Sequence, residues 1–204
     1  TAPYELSGLK CDMILSTLPI TADVPVVFIS NFISNTDRQA ISDVIRRLKA
    51  GREKERLLGL LQTLIDAELF TPSASYDDRE SAIRAIGETM RSHGIISQEF
   101  IESALERENI SPTNFGLIAI PHPSDCRATR SAIAVSLLRR PLLWGTSNVR
   151  IIFMISVSKS DLSDFSDIFS YLPRVCSDYK NLEQLASASC YEEFIRTLGN
   201  ICAE

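Results

Sequence analysis

The chain has only two histidines in 204 residues, His93 and His122. Its five cysteines, Cys11, Cys126, Cys176, Cys190 and Cys202, are widely spaced, with no Cys-x-x-Cys pair and no histidine at zinc-ligand spacing. A structural zinc site needs thiolates or imidazoles at short fixed intervals, so no metal is expected, and no organic cofactor is implied. There is also no signal-peptide pattern and no apolar run long enough to span a bilayer. Membrane insertion is therefore not expected, and the odd, scattered set of thiols suits a reduced, cytoplasmic protein. Clustered positive charge is missing as well: the formal net charge is -5. The longest basic cluster, Arg46, Arg47, Lys49, Arg52, Lys54 and Arg56, is interleaved with Glu53 and Glu55 in a helical pattern. It reads as a solvated helix face, so any contact with DNA must come through a module outside this chain. Thr1-Ala2-Pro3 carries no methionine, which is consistent with a piece of a longer polypeptide.

What is present is enough apolar residue, 45% of the chain, to bury one or two compact cores. Met13 to Leu18 and Val24 to Ser30 are short runs rich in β-branched residues and read as two buried, parallel strands. From Thr36 to about Ile65 the period is helical, with a break and a domain boundary expected at Gly51. From Phe70 onward, helices alternate with strands. Asp77 or Asp78 caps a helix carrying Ile83, Ile86 and Met90 and ending at Gly94; Ser97 opens the next, with Phe100, Ile101, Ala104 and Leu105 inward. Strands follow over 116–120, 131–138 and 149–157. Asp161 or Ser163 starts a helix bearing Phe165, Ile168, Phe169 and Leu172, and two more span 181–188 and 191–201, the last with Ser189 and Glu192 as a capping box. The expected architecture is α/β: a partial α/β segment over 1–50, a helical linker or first helix over 51–69, and over 70–204 a layered domain with a mixed sheet flanked by helices.

His122 ends the apolar run Leu117 to Ile120 and stands between Pro121 and Pro123. Proline cannot continue a β-ladder, so the strand stops there and presents the ring at an edge. A neutral imidazole at such an edge is a nucleophile able to accept a phosphoryl group, or else a residue that caps a turn. Just upstream, Glu106-Arg107-Glu108 closes a helix and Ser111-Pro112-Thr113-Asn114 forms a polar turn. Arg107, the Thr113 hydroxyl and the turn amides are the donor types that a phosphorylated imidazole needs. Alternatively, Arg107 pairs with Glu102 or Glu108 on a helix surface, where such pairs contribute roughly 0.3–0.5 kcal/mol. His93, in Arg91-Ser92-His93-Gly94, sits where a helix ends and reads as a cap or an exposed residue. Trp144 reads as a packed anchor, Phe165, Phe169 and Tyr171 as a core face, and Asp77, Asp78 and Glu80 as a helix start.

Arg107-Glu108, the turn containing Thr113, Gly116, and Ala119-Ile120-Pro121-His122 resemble the active-histidine signature of the enzyme IIA domains of the mannitol/fructose class in the bacterial sugar phosphotransferase system. Ala132 to Val135, Leu138, Pro141, Trp144-Gly145 and Val149 to Val157 resemble the strands that follow in that class, so the likeness covers about 57–201. It implies that His122 accepts phosphate from the phosphohistidine of the general phosphocarrier protein HPr, or exchanges it with the cysteine of an enzyme IIB. Cys11 to Ile20, Val24 to Ser30 and the helix after Thr36 resemble the second half of a galactitol-like enzyme IIB domain, without the glycine-rich loop holding that family's phosphorylated cysteine. Cys11 does not inherit that role and reads as a small buried or edge residue. This domain order is similar to that in the C-terminal part of mannitol-operon-type transcription activators and antiterminators.

One departure matters. Dedicated IIA carriers have a second histidine near the start of the helix after the long apolar strand, whereas Ser158 to Phe165 contains none. Asp164 aligns there; a carboxylate can hydrogen-bond an imidazole but repels a phosphoryl group, which disfavours fast relay. The resemblance with this departure implies a phosphorylation-sensing regulatory region, a regulatory phosphoacceptor rather than a phosphotransferase, with His122 as acceptor and Arg107, Thr113 and Asp164 as neighbours. Added phosphate, about -1.5 to -2 charges, would reorganise an interface containing Arg107 or Arg127. The alternatives are a IIA phosphocarrier of a sugar transporter and a docking or homodimerisation module that is never phosphorylated. The incomplete IIB half is expected to lean on a neighbour through unpaired strand edges.

Overall fold

The computed structural model describes residues 10–125 and 128–203, with all their side chains except those of 162–164 and 203. Cys126, Arg127 and the side chain of Asp164 lie outside the described residues. The chain divides into two units between Arg56 and Leu57, a few residues beyond the glycine at which a boundary was expected.

In the first unit, β1 (Ile14–Ser16) and β2 (Val26–Phe28) pair in parallel, Ile14 opposite Val26. The parallel pairing is as the β-branched runs predict, but the burial is not. Only Val27 is buried, while Leu15 and Phe28 are 42% and 61% exposed. A parallel pair usually lies inside a larger sheet covered on both faces, and here there are two strands with open edges. Cys11 is exposed.

Helix α1 (Asn35–Leu64) then runs without interruption. The Asp37 carboxylate accepts from the Ser34 N–H and hydroxyl, both at 2.8 Å, and Asp37 N–H donates back to the Ser34 hydroxyl at 3.1 Å, closing the helix start reciprocally. The break expected at Gly51 does not occur, because one glycine costs a helix only about 1 kcal/mol and burial of Leu57, Leu61 and Leu64 outweighs it. Nothing lies within 4 Å of a Cβ added at Gly59. Gly59→Ala should therefore raise stability by about 0.5–1 kcal/mol, read from urea denaturation.

The second unit is a five-stranded sheet in the order β3-β6-β7-β5-β4, built from β3 (Ile65–Ala74), β4 (Asn114–Phe115), β5 (Ile118–Ala119), β6 (Ala132–Trp144) and β7 (Ser147–Ser156). It is mixed, as expected: β3 and β6 run parallel, β6 and β7 antiparallel, β5 and β7 parallel, β4 and β5 antiparallel. The strand β3 replaces the end of the expected helical linker. Asp66, Glu68 and Pro72 hide it in sequence, and it tolerates them because it is an edge strand with register shifts against β6. β6 is longer than expected, passing Pro141 by an irregularity between Leu137 and Leu142 and turning into β7 at Gly145, φ 66°.

Alternation along β6 and β7 makes two cores. Ile133, Val135, Ile151, Phe153 and Ile155 face α4 (Leu162–Cys176), α5 (Tyr179–Ala186), α6 (Tyr191–Ala203) and the end of α1. Ala132, Ala134, Ile152 and Met154 face α2 (Arg79–Ser92) and α3 (Gln98–Ile110). Asp78 caps α2 in a reciprocal box with Ser81. Ahead of α6, Ser189 is tied to Glu193, not Glu192, its N–H and hydroxyl both donating at 2.7 Å. Among the described residues no helix is long and apolar enough to cross a membrane.

Candidate functional site

The short strand β5 is held on both sides just before His122. Ile120 N–H donates to the Thr113 carbonyl at 3.1 Å, and the Pro121 carbonyl accepts from Ile155 N–H at 3.1 Å. The imidazole is thus delivered at the end of β5, beside the end of β7. It is half-buried, and the Phe169 ring of α4 lies against it, centroids 4.7 Å apart at 57°. Phe165 and Tyr171 are buried in the core as expected, and Phe169, half-buried against the same core, also packs on the histidine. His122, Ile155, Val157, Phe165, Ser166 and Phe169 are among the residues lining a cavity of about 280 Å³.

The ring's protonation pattern follows from one contact. His122 Nδ1 is 2.7 Å from the Ile120 carbonyl oxygen. A carbonyl only accepts, so Nδ1 carries the proton and Nε2 keeps the lone pair. Burial pushes the imidazole below its ordinary value of 6.5, the nearby Arg107 charge pushes the same way, and the Ile120 carbonyl and Glu108 oppose it. The ring is accordingly neutral near pH 7, the nucleophilic form. Because the folded value is depressed, the stabilisation is full above 6.5, where unfolded and folded rings are both neutral, and is lost as pH falls through the folded value. Stability of the wild type should fall on acidification below 6.5 more steeply than that of His122→Gln; parallel slopes in urea denaturation on either side of 6.5 would contradict this.

Arg107 lies in the last turn of α3, half-buried, its Nη1 donating to the Ser111 carbonyl at 2.7 Å. The carboxylates that could have claimed it on a helix surface are engaged elsewhere: Glu102 with Arg84 at 2.9 Å, and Glu108 inside the protein. Thr113 differs from expectation. It is buried, and both its N–H and its hydroxyl donate to Glu108, so the hydroxyl is directed at that carboxylate and not offered to a phosphate. Asp164 falls in the first turn of α4, and its side chain is outside the described residues. Asp161, just before α4, instead gathers three hydroxyls, from Ser131 at 2.5 Å and from Ser158 and Ser160 at 2.8 Å, which hold its carboxyl below the usual range. His93 is the C-cap of α2, with Nδ1 2.8 Å from the Thr89 carbonyl and Nε2 3.3 Å from Glu68.

Glu108 belongs to the signature read in the sequence, but its burial and its partners were not legible there. It is fully buried and accepts from Thr113 N–H at 3.0 and 3.2 Å, from the Thr113 hydroxyl, and from Trp144 Nε1 at 3.0 Å. Trp144 is the buried anchor that was expected, with the added duty of satisfying this carboxylate.

Known proteins match this chain in sequence and in fold. The family described as "Phosphoenolpyruvate-dependent sugar phosphotransferase system, EIIA 2" matches residues 63–201. The probable licABCH operon regulator of Bacillus subtilis (strain 168) is 28% identical over 95% of this chain, which spans 30% of that protein. A mannitol-specific phosphotransferase enzyme IIA component of the same organism is 28% identical over 60% of this chain and 87% of its own length. Among solved structures, nitrogen regulatory protein IIA-Ntr from Neisseria meningitidis has the same fold, with a TM-score of 0.62, 19% identity, and coverage of 68% of this chain and 99% of that one. The histidine-bearing mixed sheet, its flanking helices and the family match over most of the chain place this protein in the EIIA 2 family of the phosphoenolpyruvate-dependent sugar phosphotransferase system.

Proposed function

We propose that this chain is the phosphorylation-sensing region of a sugar-operon transcriptional regulator, with Nε2 of His122 as the phosphoacceptor. The carrying observation is the Ile120 contact, which leaves Nε2 as the free nitrogen of a ring lining a mostly apolar cavity to which Ser124, Asp125 and Ser166 also contribute. In the reaction, the Nε2 lone pair forms a bond to the phosphorus of a donor phosphohistidine on HPr, and the donor's P–N bond breaks with its electron pair returning to the donor ring. The Nδ1 proton stays on His122, shared with the Ile120 carbonyl, which steadies the positive charge the ring acquires. Arg107 supplies compensating charge for the arriving phosphoryl group. A cysteine of an enzyme IIB is the second exchange partner, and the apolar wall of Ile155, Val157, Phe165 and Phe169 is suited to an apolar rim around either reactive group.

Regulation is favoured over relay for two reasons. The operon regulator matches 95% of the chain, including residues ahead of 63, whereas the mannitol IIA component matches 60%. The stretch Ser158 to Phe165 has no second histidine. In this reading the β1–β2 pair and the start of α1 are the second half of a IIB-like domain, DNA is contacted by a module outside this chain, and the protein is cytoplasmic. The test is a chase: with HPr, enzyme I and phosphoenolpyruvate, the chain is labelled slowly and passes little label to a mannitol IIB. Rapid, stoichiometric labelling that transfers onward would make it a phosphocarrier enzyme instead. No labelling of the wild type would leave only a docking or dimerisation role.

A further inference from the structure

A continuous run of hydrogen bonds leads from the buried Glu108 to the ring of His122. The carboxylate, fully buried, accepts from Thr113 N–H at 3.0 and 3.2 Å, from the Thr113 hydroxyl, and from Trp144 Nε1 at 3.0 Å. With its peptide N–H fixed in this way, Thr113 presents its carbonyl to Ile120 N–H at 3.1 Å. Ile120 in turn presents its own carbonyl to His122 Nδ1 at 2.7 Å. The turn between is clamped from outside too: a Cβ at Gly145, φ +66°, would come within 2.9 Å of Pro112. The chain from Glu108 to His122 therefore has little freedom to drift, and each link sets the direction of the next.

We propose that Glu108 is a positioning residue for His122, fixing the Ile120 carbonyl through Thr113 so that the imidazole is held as the Nδ1–H tautomer with Nε2 unprotonated. This rests on the reading of His122 as phosphoacceptor for its purpose, though not for its geometry. A carboxylate suits the position because all its partners are donors. The amide of Glu108→Gln offers one accepting oxygen and a donating NH₂, so one of the Thr113 or Trp144 donors then faces another donor. The Thr113 peptide is released, the Ile120 carbonyl moves with it, and the ring loses its fixed proton. Groups that orient a reactive ligand in this indirect way are worth about ten- to a hundredfold in activity.

The test reads the ring directly. Long-range ¹H–¹⁵N spectra of the unphosphorylated full chain should show His122 as Nδ1–H in the wild type. In Glu108→Gln, and in Glu108→Asp where the carboxylate is withdrawn from Thr113, the ratio of Nδ1–H to Nε2–H should fall by about tenfold. The labelling kcat should fall by a similar factor, with the KM for phosphorylated HPr unchanged. Trp144→Phe removes a different partner of the same carboxylate and keeps the Thr113 link, so it should lower the melting temperature yet leave the tautomer as in the wild type. Wild-type tautomer and kcat in both Glu108 variants would overturn the proposal, as would loss of the tautomer in Trp144→Phe to the same extent, because Glu108 would then be a core fastener only. If the wild type takes no label, the phosphoacceptor reading fails while the tautomer ratios still decide the role of Glu108.

Discussion

Replacing Arg107 by glutamine should slow the proposed phosphoryl transfer to His122 by on the order of 10²-fold while the fold survives. A phosphoryl group brings about -1.5 to -2 charges to a half-buried ring. The Arg107 guanidinium is near enough to oppose protonation of that ring, and the same field that disfavours an imidazolium favours an anion there. It is already in place before transfer, because its Nη1 is anchored on the Ser111 carbonyl at 2.7 Å at the end of α3. A preorganised charge of this kind costs no reorganisation when the phosphoryl group arrives. Losing the anchor removes one hydrogen bond, about 1 kcal/mol, so circular dichroism should show an intact fold. Arg107→Lys should recover part of the rate, since it keeps the charge and gives up the planar fork. A wild-type labelling rate in Arg107→Gln would remove Arg107 from the site.

Trp144→Ala should destabilise the second unit by at least about 3–5 kcal/mol. The side chain is fully buried, and its removal leaves a cavity in the core shared by β6, β7, α2 and α3. It also takes a donor from the Glu108 carboxylate, which is itself fully buried; an unsatisfied buried acceptor adds about 1–3 kcal/mol, not strictly additive with the cavity. Trp144→Phe should cost less, since most of the volume remains. Urea denaturation separates these outcomes, and a loss below about 1 kcal/mol in Trp144→Ala would mean that the indole neither fills the core nor satisfies the carboxylate.

The contrast between Glu108 and His122 shows what a sequence makes legible. His122 is partly legible: the apolar run Leu117 to Ile120 stopped by Pro121 reads as a strand end carrying an imidazole, but the run alone also allowed a turn cap, and it was the family resemblance that favoured a phosphoacceptor. The alternation of helices and strands beyond Phe70 is legible because apolar runs and caps such as Asp78 act within a few residues. The burial of Glu108 is silent. A glutamate in the last turn of a helix is ordinarily solvated, and this one is buried only because Thr113, five residues on, and Trp144, on a distant strand, supply donors. The direction of the Thr113 hydroxyl depends on that burial, which is why it looked like a phosphate ligand. Strand β3 was hidden by Asp66, Glu68 and Pro72, residues that an edge can carry and a central strand cannot. The continuity of α1 through Gly51 was set by leucines beyond it.

Whether Nε2 of His122 takes the phosphoryl group is decided by ³¹P and ¹⁵N spectra of the chain after incubation with phosphoenolpyruvate, enzyme I and HPr. The wild type should show a single phosphohistidine with phosphorus coupled to Nε2, absent from His122→Ala. Label that persists in His122→Ala, or phosphorus on Nδ1, would rule out Nε2 of His122 as the acceptor.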